Sequence, residues 1–417
     1  MIASRSLKMR VADRHRSLPT FLILLFAYTL SQFFRAFLAI VAGDLSRELT
    51  LDAADLGAVS AIWFVAFALA QFPVGYALDR FGPRRTLAAF MVLAVIGAVW
   101  LARAGSFADA LVAMALIGIG CSPILMASLY VFGRVYDAGR FAMLSSLMIG
   151  LGSAGNLLGT SPLAWAVQAF GWRGAMTGIA AITAASALLA FMALKDPPPV
   201  ERRAEDAARG GLSALLAMRA LWPLLPLAAV SYAVVIATRS LWIGPFFTDV
   251  HGFTIAGKGH AALLMAVAMS VGALAYGPLE RWLGGAKRTT LIGSAVTAAA
   301  YAGLGLFGER SAAGALALLT MIGFAGMTYG ILMAHARLFF PAHLLGRGVT
   351  FMNFLFIGGA GVVQALSGLF VRAGGNAGDP ADATFGHLHL AFGLVLLAAT
   401  VVYLFAPARP REVASAG

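Results

Sequence analysis

The chain has 417 residues, 60% hydrophobic and only 12% charged, with a mean hydropathy of +0.86. A water-soluble domain would carry about a quarter charged residues, so the composition excludes an aqueous globular protein and implies a surface bathed in lipid. The net charge of +12 raises nucleic acid as a partner, against which stands the distribution of that charge along the chain, and the single cysteine, Cys121, excludes an intramolecular disulfide.

Apolar runs long enough to cross about 30 Å of hydrocarbon, roughly 20 residues each, recur twelve times. They lie near 19–43, 54–78, 86–104, 107–133, 141–168, 173–194, 221–248, 259–282, 289–308, 312–339, 348–372 and 384–406. Backbone in lipid must satisfy its own hydrogen bonds, so these spans are helices. The predicted fold class is an all-α integral membrane protein of twelve transmembrane helices.

In chain order, residues 1–18 form a basic tail, and the first span is too long for a signal peptide and lacks a small-residue cleavage pattern, so it stays. That span sets Tyr28, Gln32 and Arg35 at i, i+4 and i+7, on one helix face. The loop after the second span reads Gly75-Tyr-Ala-Leu-Asp79-Arg80-Phe-Gly82-Pro83-Arg84-Arg85. The fourth span puts Ser122, Met126 and Tyr130 on one face, and the fifth holds Asn156 among Gly150, Gly152, Gly155 and Gly159. Residues 195–220 form a polar linker, with Pro197-Pro198-Pro199, a charged stretch from Glu201 to Arg209, and Gly210-Gly211. It divides an N-terminal six-helix bundle, 19–194, from a C-terminal one, 221–406, with 407–417 as a tail. The seventh span carries Tyr232 and Arg239, the tenth Tyr329 and Met333, and the eleventh Gln364 among Gly358, Gly359, Gly361 and Gly368.

The two halves repeat each other. Tyr28 and Arg35 recur as Tyr232 and Arg239, with the same spacing of seven and an offset of 204. Ile124-Leu125-Met126-Ala127 recurs as Ile331-Leu332-Met333-Ala334 at an offset of 207, and Arg140 recurs as Arg347 at the same offset. Asn156 and Gln364 are a paired polar position. Each half has an even number of spans, so the repeats are parallel, related by an axis along the membrane normal. With the N-terminus in the cytoplasm, the cytoplasmic tails and loops hold 22 of the 30 Lys and Arg and the outer loops hold six. This positive-inside bias sets both termini in the cytoplasm, and the basic charge records topology. The remaining two are Arg35 and Arg239, inside spans.

The Gly75–Arg85 loop resembles the signature of the major facilitator superfamily: Gly, three residues, Asp, Arg, any residue, Gly, any residue, two basic residues. A degenerate copy stands in the second half at Gly277, Glu280, Arg281, Gly284, Lys287 and Arg288. The resemblance implies two six-helix bundles working by alternating access, with a cavity lined mainly by the first, fourth, seventh and tenth helices. It also implies a conformational latch at Gly75, Asp79, Arg80, Gly82 and Arg84, tying the cytoplasmic ends together against the eleventh helix. An acid at a helix end can face the positive N-terminus of a neighbour.

A charge deep in a bilayer costs about 2.5–3.5 kcal/mol on insertion scales unless it faces a cavity or partner. The sequence holds no Asp or Glu in the central part of any span; Asp44, Asp55, Asp79, Asp109, Asp249 and Glu280 lie at ends or in loops. The missing anion is therefore read as the substrate, since the guanidinium fork suits carboxylate or phosphate. Arg35 and Arg239 are its predicted ligands, with Tyr28, Gln32, Tyr232, Ser122, Met126, Tyr329, Asn156 and Gln364 as further binding candidates. Arginines on helices 1 and 7 also resemble the organophosphate and phosphate antiporters of the superfamily. Nitrate carriers place theirs on helices 2 and 8, which does not fit here.

Trp63 and Trp242 could stack on an organic substrate, although packing is the commoner role of such residues. His335 is a candidate for proton coupling; anion exchange would need no proton carrier. His260, Met265 and Met269 read as core rather than as a metal site. No metal or cofactor is expected, and no nucleotide-binding loop or catalytic nucleophile is present, so neither ATP-driven transport nor an enzyme is expected. The expected partners are a small anionic substrate and the lipid bilayer of a cell inner membrane, with the chain working as a monomer. Rival readings are a proton-coupled exporter of drugs or amphipathic compounds, and a non-transporting receptor of transporter fold.

Overall fold

A computed structural model describes residues 2–136, 138–197, 215, 217–341 and 344–408. The basic side chains of residues 1–17, most of the 195–220 linker with Arg202 and Arg203, and the tail from 409 onward lie outside the described residues.

The described chain is helical throughout. In order it forms α1 (Ile2–Phe33), α2 (Leu38–Leu49), α3 (Ala53–Ala102), α4 (Phe107–Cys121), α5 (Pro123–Val135), α6 (Ala138–Gly152), α7 (Ala154–Leu158) and α8 (Ser161–Ala193). After a short 3-10 turn at Arg219–Leu224 come α9 (Leu225–Ala237), a π turn (Thr238–Trp242), α10 (Ile243–Asp249) and α11 (Ile255–Leu283). The chain ends with α12 (Ala286–Phe307), α13 (Ala312–Ala325), α14 (Tyr329–Arg337), α15 (Leu345–Ala377) and α16 (Ala381–Leu404). Helix starts outside the apolar cores use side-chain caps: Ser106 accepts from the Asp109 amide, Thr254 from Gly257 and Ser311 from Gly314. Exposed large apolar side chains, such as Leu274, Leu188, Met192 and Trp165, cover the helix faces turned away from the core. On a water-soluble protein such a surface would be a liability; against lipid it is the rule.

Among the described residues nine helical stretches are long and apolar enough to cross a bilayer, or ten when the bent pair Leu18–Phe33 and Leu38–Leu49 counts as one. The difference from the twelve expected from sequence has a local cause. Helix α3 runs through Gly82 at φ 78°, ψ 164°, and α8 runs through Gly171 at φ 71°, ψ 162°. Each glycine stands where a short loop was expected, and the helix resumes at once on its far side.

Contacts divide the chain into two compact units. One comprises Met1–Val41 and Ala66–Val200, the other Ala42–Val65 and Glu201–Gly417. Residues 42–65 therefore pack with the C-terminal helices, which chain order alone does not indicate. In the first unit α1 lies against α5, α6, α7 and α8; in the second α9 lies against α15, α12 against α16, and α11 against α13. Small residues permit this closeness, as expected where no hydrophobic force drives helix from lipid to helix. A Cβ on Gly155 would collide with the Thr29 carbonyl oxygen of α1, and one on Gly359 with the Ala229 carbonyl oxygen of α9. Gly155 and Gly359, of the fifth and eleventh spans, thus serve the same packing in both halves.

Candidate functional site

The residue that opens the site in the first unit, Arg35, does not sit in regular helix. Residues 34–37 form turns between α1 and α2, which bend by 48° there. The Arg35 amide donates to the Gln32 carbonyl at 3.3 Å and the Ala36 amide to Phe33 at 2.9 Å, both i→i−3 bonds. Such tight winding is confined to short pieces and often marks a functional break. Phe33, Phe34 and Phe37 pack on one another around the turn, and Gly159 admits Ala36 and the Phe33 carbonyl. The half-buried Arg35 guanidinium lies 4.9 Å from the centre of the Phe67 ring. A cation over an aromatic face gains about 0.5–2 kcal/mol, more as water is removed.

One turn back, the Gln32 amide donates to Tyr28 Oη at 3.0 Å, and the Tyr28 ring fills the space left by Gly152. Tyr28 and Gln32 are therefore placed on one stretch of α1, supported by the glycines of α6 and α7, and Arg35 stands in the turn that follows.

Ser122 and Met126 are positioned differently. Ser122 separates α4 from α5 just before Pro123, its hydroxyl donates to Ile119 O at 2.6 Å, and its own carbonyl accepts from the Gln71 amide at 3.1 Å. Proline cannot continue the ladder there, so the break is written in the sequence. Met126 packs with Phe90 and Tyr130 on a cluster of Val74, Leu78 and Ala127, which is core packing. Asn156 is half-buried in the short α7, and among the described residues its buried side-chain oxygen has no hydrogen-bond partner.

In the second unit Arg239 is 2% exposed and lies in the π turn. The Ile243 amide donates to Thr238 O, five residues back. Side chains hold the turn: Thr238 Oγ1 donates to Val234 O at 3.0 Å, Ser240 Oγ to Ile236 O at 2.6 Å, and Tyr301 Oη to Val234 O at 2.9 Å, with the Thr238 and Tyr301 hydroxyls 2.8 Å apart. In an apolar interior every such carbonyl needs a donor. Tyr232, seven residues before Arg239, has its ring centre 5.4 Å from that of Tyr329 at the start of α14, and Tyr329 in turn meets Phe356 at 5.7 Å. Helix α13 ends at Ala325 and α14 restarts at Tyr329, so the tenth span is interrupted next to this aromatic pair.

The remaining candidates divide between packing and new partners. Gln364 is fully buried, and its side-chain oxygen accepts from Ser60 Oγ. Trp63 and Trp242 are each 1% exposed and packed edge-on against Phe64 and Phe385. Both ring nitrogens of His335 are engaged, Nδ1 with Tyr403 Oη at 2.6 Å and Nε2 with Pro407 O at 3.1 Å. Met265 and Met269 are core, His260 is exposed, and among the described residues no group of His, Cys, Asp or Glu could hold a metal ion.

At the Gly75–Arg85 loop, Arg80 donates to Tyr76 Oη and stacks near the Tyr76 and Phe81 rings, while Asp79 is exposed. Beyond Gly82 the helix restart is capped by Asp196, whose Oδ1 accepts from the Arg84 amide at 2.8 Å. The Arg84 side chain reaches back to the Phe191 carbonyl at 2.5 Å. The degenerate loop has a counterpart: Lys287 Nζ donates to Leu404 O at 2.8 Å and to Ala406 O at 2.6 Å. In each half a basic residue after the loop serves the carbonyls at the end of the last helix, where a cation is favoured. Sequence reasoning missed Phe67, Asp196, Ser60 and the Thr238–Tyr301 pair. Only Asp196, a lone acid just past an apolar span and beside a basic loop, left a signal.

A family model described as Major Facilitator Superfamily matches residues 24–365. The hexuronate transporter of Bacillus subtilis (strain 168) is 27% identical over 185 residues, 43% of this chain and 43% of that protein. The probable L-galactonate transporter of Escherichia coli (strain K12) is 25% identical over 228 residues, 53% of this chain and 48% of that protein. The chain thus matches less than half the length of each of these relatives. The crystal structure of a bacterial homolog to the human lysosomal transporter Spinster, inward-facing and occupied, is similar with a TM-score of 0.73 and 18% identity, over 94% of this chain and 98% of that one. At that identity the likeness is one of fold.

Proposed function

The chain belongs to the Major Facilitator Superfamily, and from that premise we propose that it moves a small organic or phosphorylated anion across the membrane by alternating access, as an exchanger or a symporter. Membership makes it a membrane transporter and not an enzyme. One observation carries the choice of an anion: each half presents an arginine, seven residues after a tyrosine, at a point where the helix leaves regular α geometry. Such breaks within the membrane recur where transporter helices bind charged ligands. The guanidiniums of Arg35 and Arg239 are the proposed anion ligands, with Tyr28 and Tyr232, seven residues earlier in each copy, as further proposed ligands. The related proteins are named for hexuronate and L-galactonate. Both are sugar acids, so a sugar-acid carboxylate is the first class to test.

The proposed topology counts α3 and α8 as two spans each, hinged at Gly82 and Gly171, which gives twelve spans in bundles 19–194 and 221–406. Both termini lie in the cytoplasm, the membrane is a cell inner membrane, and the monomer is the working unit. With both ring nitrogens engaged, His335 is assigned as a tie for the end of α16 rather than as a proton carrier, and anion exchange is the favoured coupling.

The test is thermal stabilisation of the purified protein by a panel of anions, including D-glucuronate and sugar phosphates, beside Arg35→Ala and Arg239→Ala. A ligand at 100 times its Kd stabilises the folded state by about 2.7 kcal/mol. The expected outcome is a rise in Tm for the wild type that disappears in both variants. A response that both variants keep would remove the arginines from the site.

A further inference from the structure

Trp242 closes the π turn that carries Arg239, and its indole Nε1 donates to Ser367 Oγ at 2.7 Å. Ser367 Oγ donates to the Gln364 carbonyl at 2.9 Å, and the Gln364 side-chain oxygen accepts from Ser60 Oγ. None of the four residues is more than 3% exposed. Gln364 takes one bond on its backbone carbonyl and the other on its side-chain oxygen, so the contacts lead from the turn at Arg239, through the body of Gln364 on α15, to residue 60 of α3, inside one compact unit.

Around Ser60 the contact between α3 and α15 is almost bare backbone. Gly57 lies on the Gln364 carbonyl and the Gly368 Cα, Gly368 on the Ala53 carbonyl, and Gly361 on Ala61 and Val65. At the end of this seam Arg372 pairs with Asp52 at 3.5 Å. A seam of glycines gains packing when closed and has no interlocked side chains to free when it parts. Its buried directional hold is the polar line through Gln364, beside the exposed Arg372–Asp52 pair at its end.

A π turn is suited to act on such a line. Its bonds run i→i+5, and a shift of one residue restores α geometry. One residue of helix is about 100° of rotation, enough to carry the Trp242 indole away from Ser367. An α-wound alternative would give the turn two discrete arrangements, which is what transmission between sites requires.

We propose that Trp242, Ser367, Gln364 and Ser60 form a coupling line, by which engagement of Arg239 rewinds the π turn and releases the 53–65 segment of α3 from α15. The four are positioning residues, acting through the turn and the seam. The inference rests on the reading of Arg239 as a ligand group, and its test separates the two.

Hydrogen–deuterium exchange is followed over residues 53–65 in the full-length protein, with and without D-glucuronate, for wild type, Ser367→Ala and Ser367→Thr. Without ligand, Ser367→Ala is expected to raise exchange in this segment several-fold, and Ser367→Thr, which keeps the hydroxyl, to return it to the wild-type value. With D-glucuronate, the wild type changes its exchange there; Ser367→Ala keeps its thermal stabilisation by the anion but loses the exchange response. Trp242→Phe, which deletes the donor and keeps a ring, repeats the test from the other end should Ser367→Ala fold poorly. Equal ligand-free exchange in wild type and both deletions, or a ligand response they retain, overturns the coupling line. Absence of any D-glucuronate effect on wild-type Tm counts against the carboxylate reading alone, because the ligand-free comparison with Ser367→Thr still decides the line.

Discussion

Gly82 and Gly75 belong to the same signature loop, yet they are glycines for different reasons. Gly82 sits at φ 78°, and the Asp196 carboxylate occupies the place a Cβ would take, 2.6 Å from Oδ1. Gly75 is helical, and a Cβ there would meet nothing within 4 Å. A non-glycine residue held in a sparsely populated backbone region costs about 1–3 kcal/mol, to which displacement of Asp196 from the Arg84 amide adds. Gly82→Ala is therefore expected to lower Tm clearly. Gly75→Ala should hold Tm or raise it, since alanine in a helix is worth about 0.5–1 kcal/mol over glycine. Thermal denaturation of the two variants side by side checks both. The sequence pattern singled out both residues but could not rank them, because the distinction lies in Asp196, which is 114 positions on from Gly82.

At the scale of the element, the breaks in the helices were legible in some cases and hidden in others. Pro123 ends α4 and Gly326 follows α13, each a residue that punctuates a helix by its own chemistry. Nothing of that kind marks residues 34–37, Phe-Arg-Ala-Phe, or 238–242, Thr-Arg-Ser-Leu-Trp, and both stretches read as ordinary span. Their departures from α geometry depend on tertiary partners: Gly159 under the first, the Thr238–Tyr301 pair beside the second. Tyr301→Phe tests the second case. It removes the hydroxyl that donates to Val234 O, and one net hydrogen bond is worth about 0.5–1.5 kcal/mol. A drop in Tm of that order is expected, with weaker anion stabilisation if the π turn positions Arg239. Unchanged anion stabilisation would make the tyrosine a packing residue only. The arginines themselves were visible from sequence because charge in an apolar run stands out whatever the local winding.

For the molecule as a whole, the duplication extends to how each half ends. Arg84 serves the Phe191 carbonyl in the first unit, and Lys287 serves Leu404 and Ala406 in the second. Each tie closes within its own unit, so the two are expected to act independently. Arg84→Met and Lys287→Met should each lower stability by up to about 1 kcal/mol, and the double variant by their sum within roughly 0.5 kcal/mol. Denaturation of the three proteins measures this, and a large non-additive term would show that the last helices of the two halves are energetically linked. What sequence alone could not supply at this scale is the grouping of residues 42–65 with the C-terminal helices. Spans are recognised one at a time by hydropathy, whereas grouping is set by which small residues meet, as Gly57 and Gly368 do.

The Tyr–Arg spacing has been kept at seven in both copies of an ancestral segment, yet the two copies are wound in opposite senses away from the α-helix. Before Arg35 the turn tightens to i→i−3 bonds; at Arg239 it loosens to i→i−5. Equal distance along the chain has thus been inherited while azimuth has not, so homologous positions in the two halves are not interchangeable parts. The repeat reads as a copy, and its symmetry is broken at the residues that carry the charge.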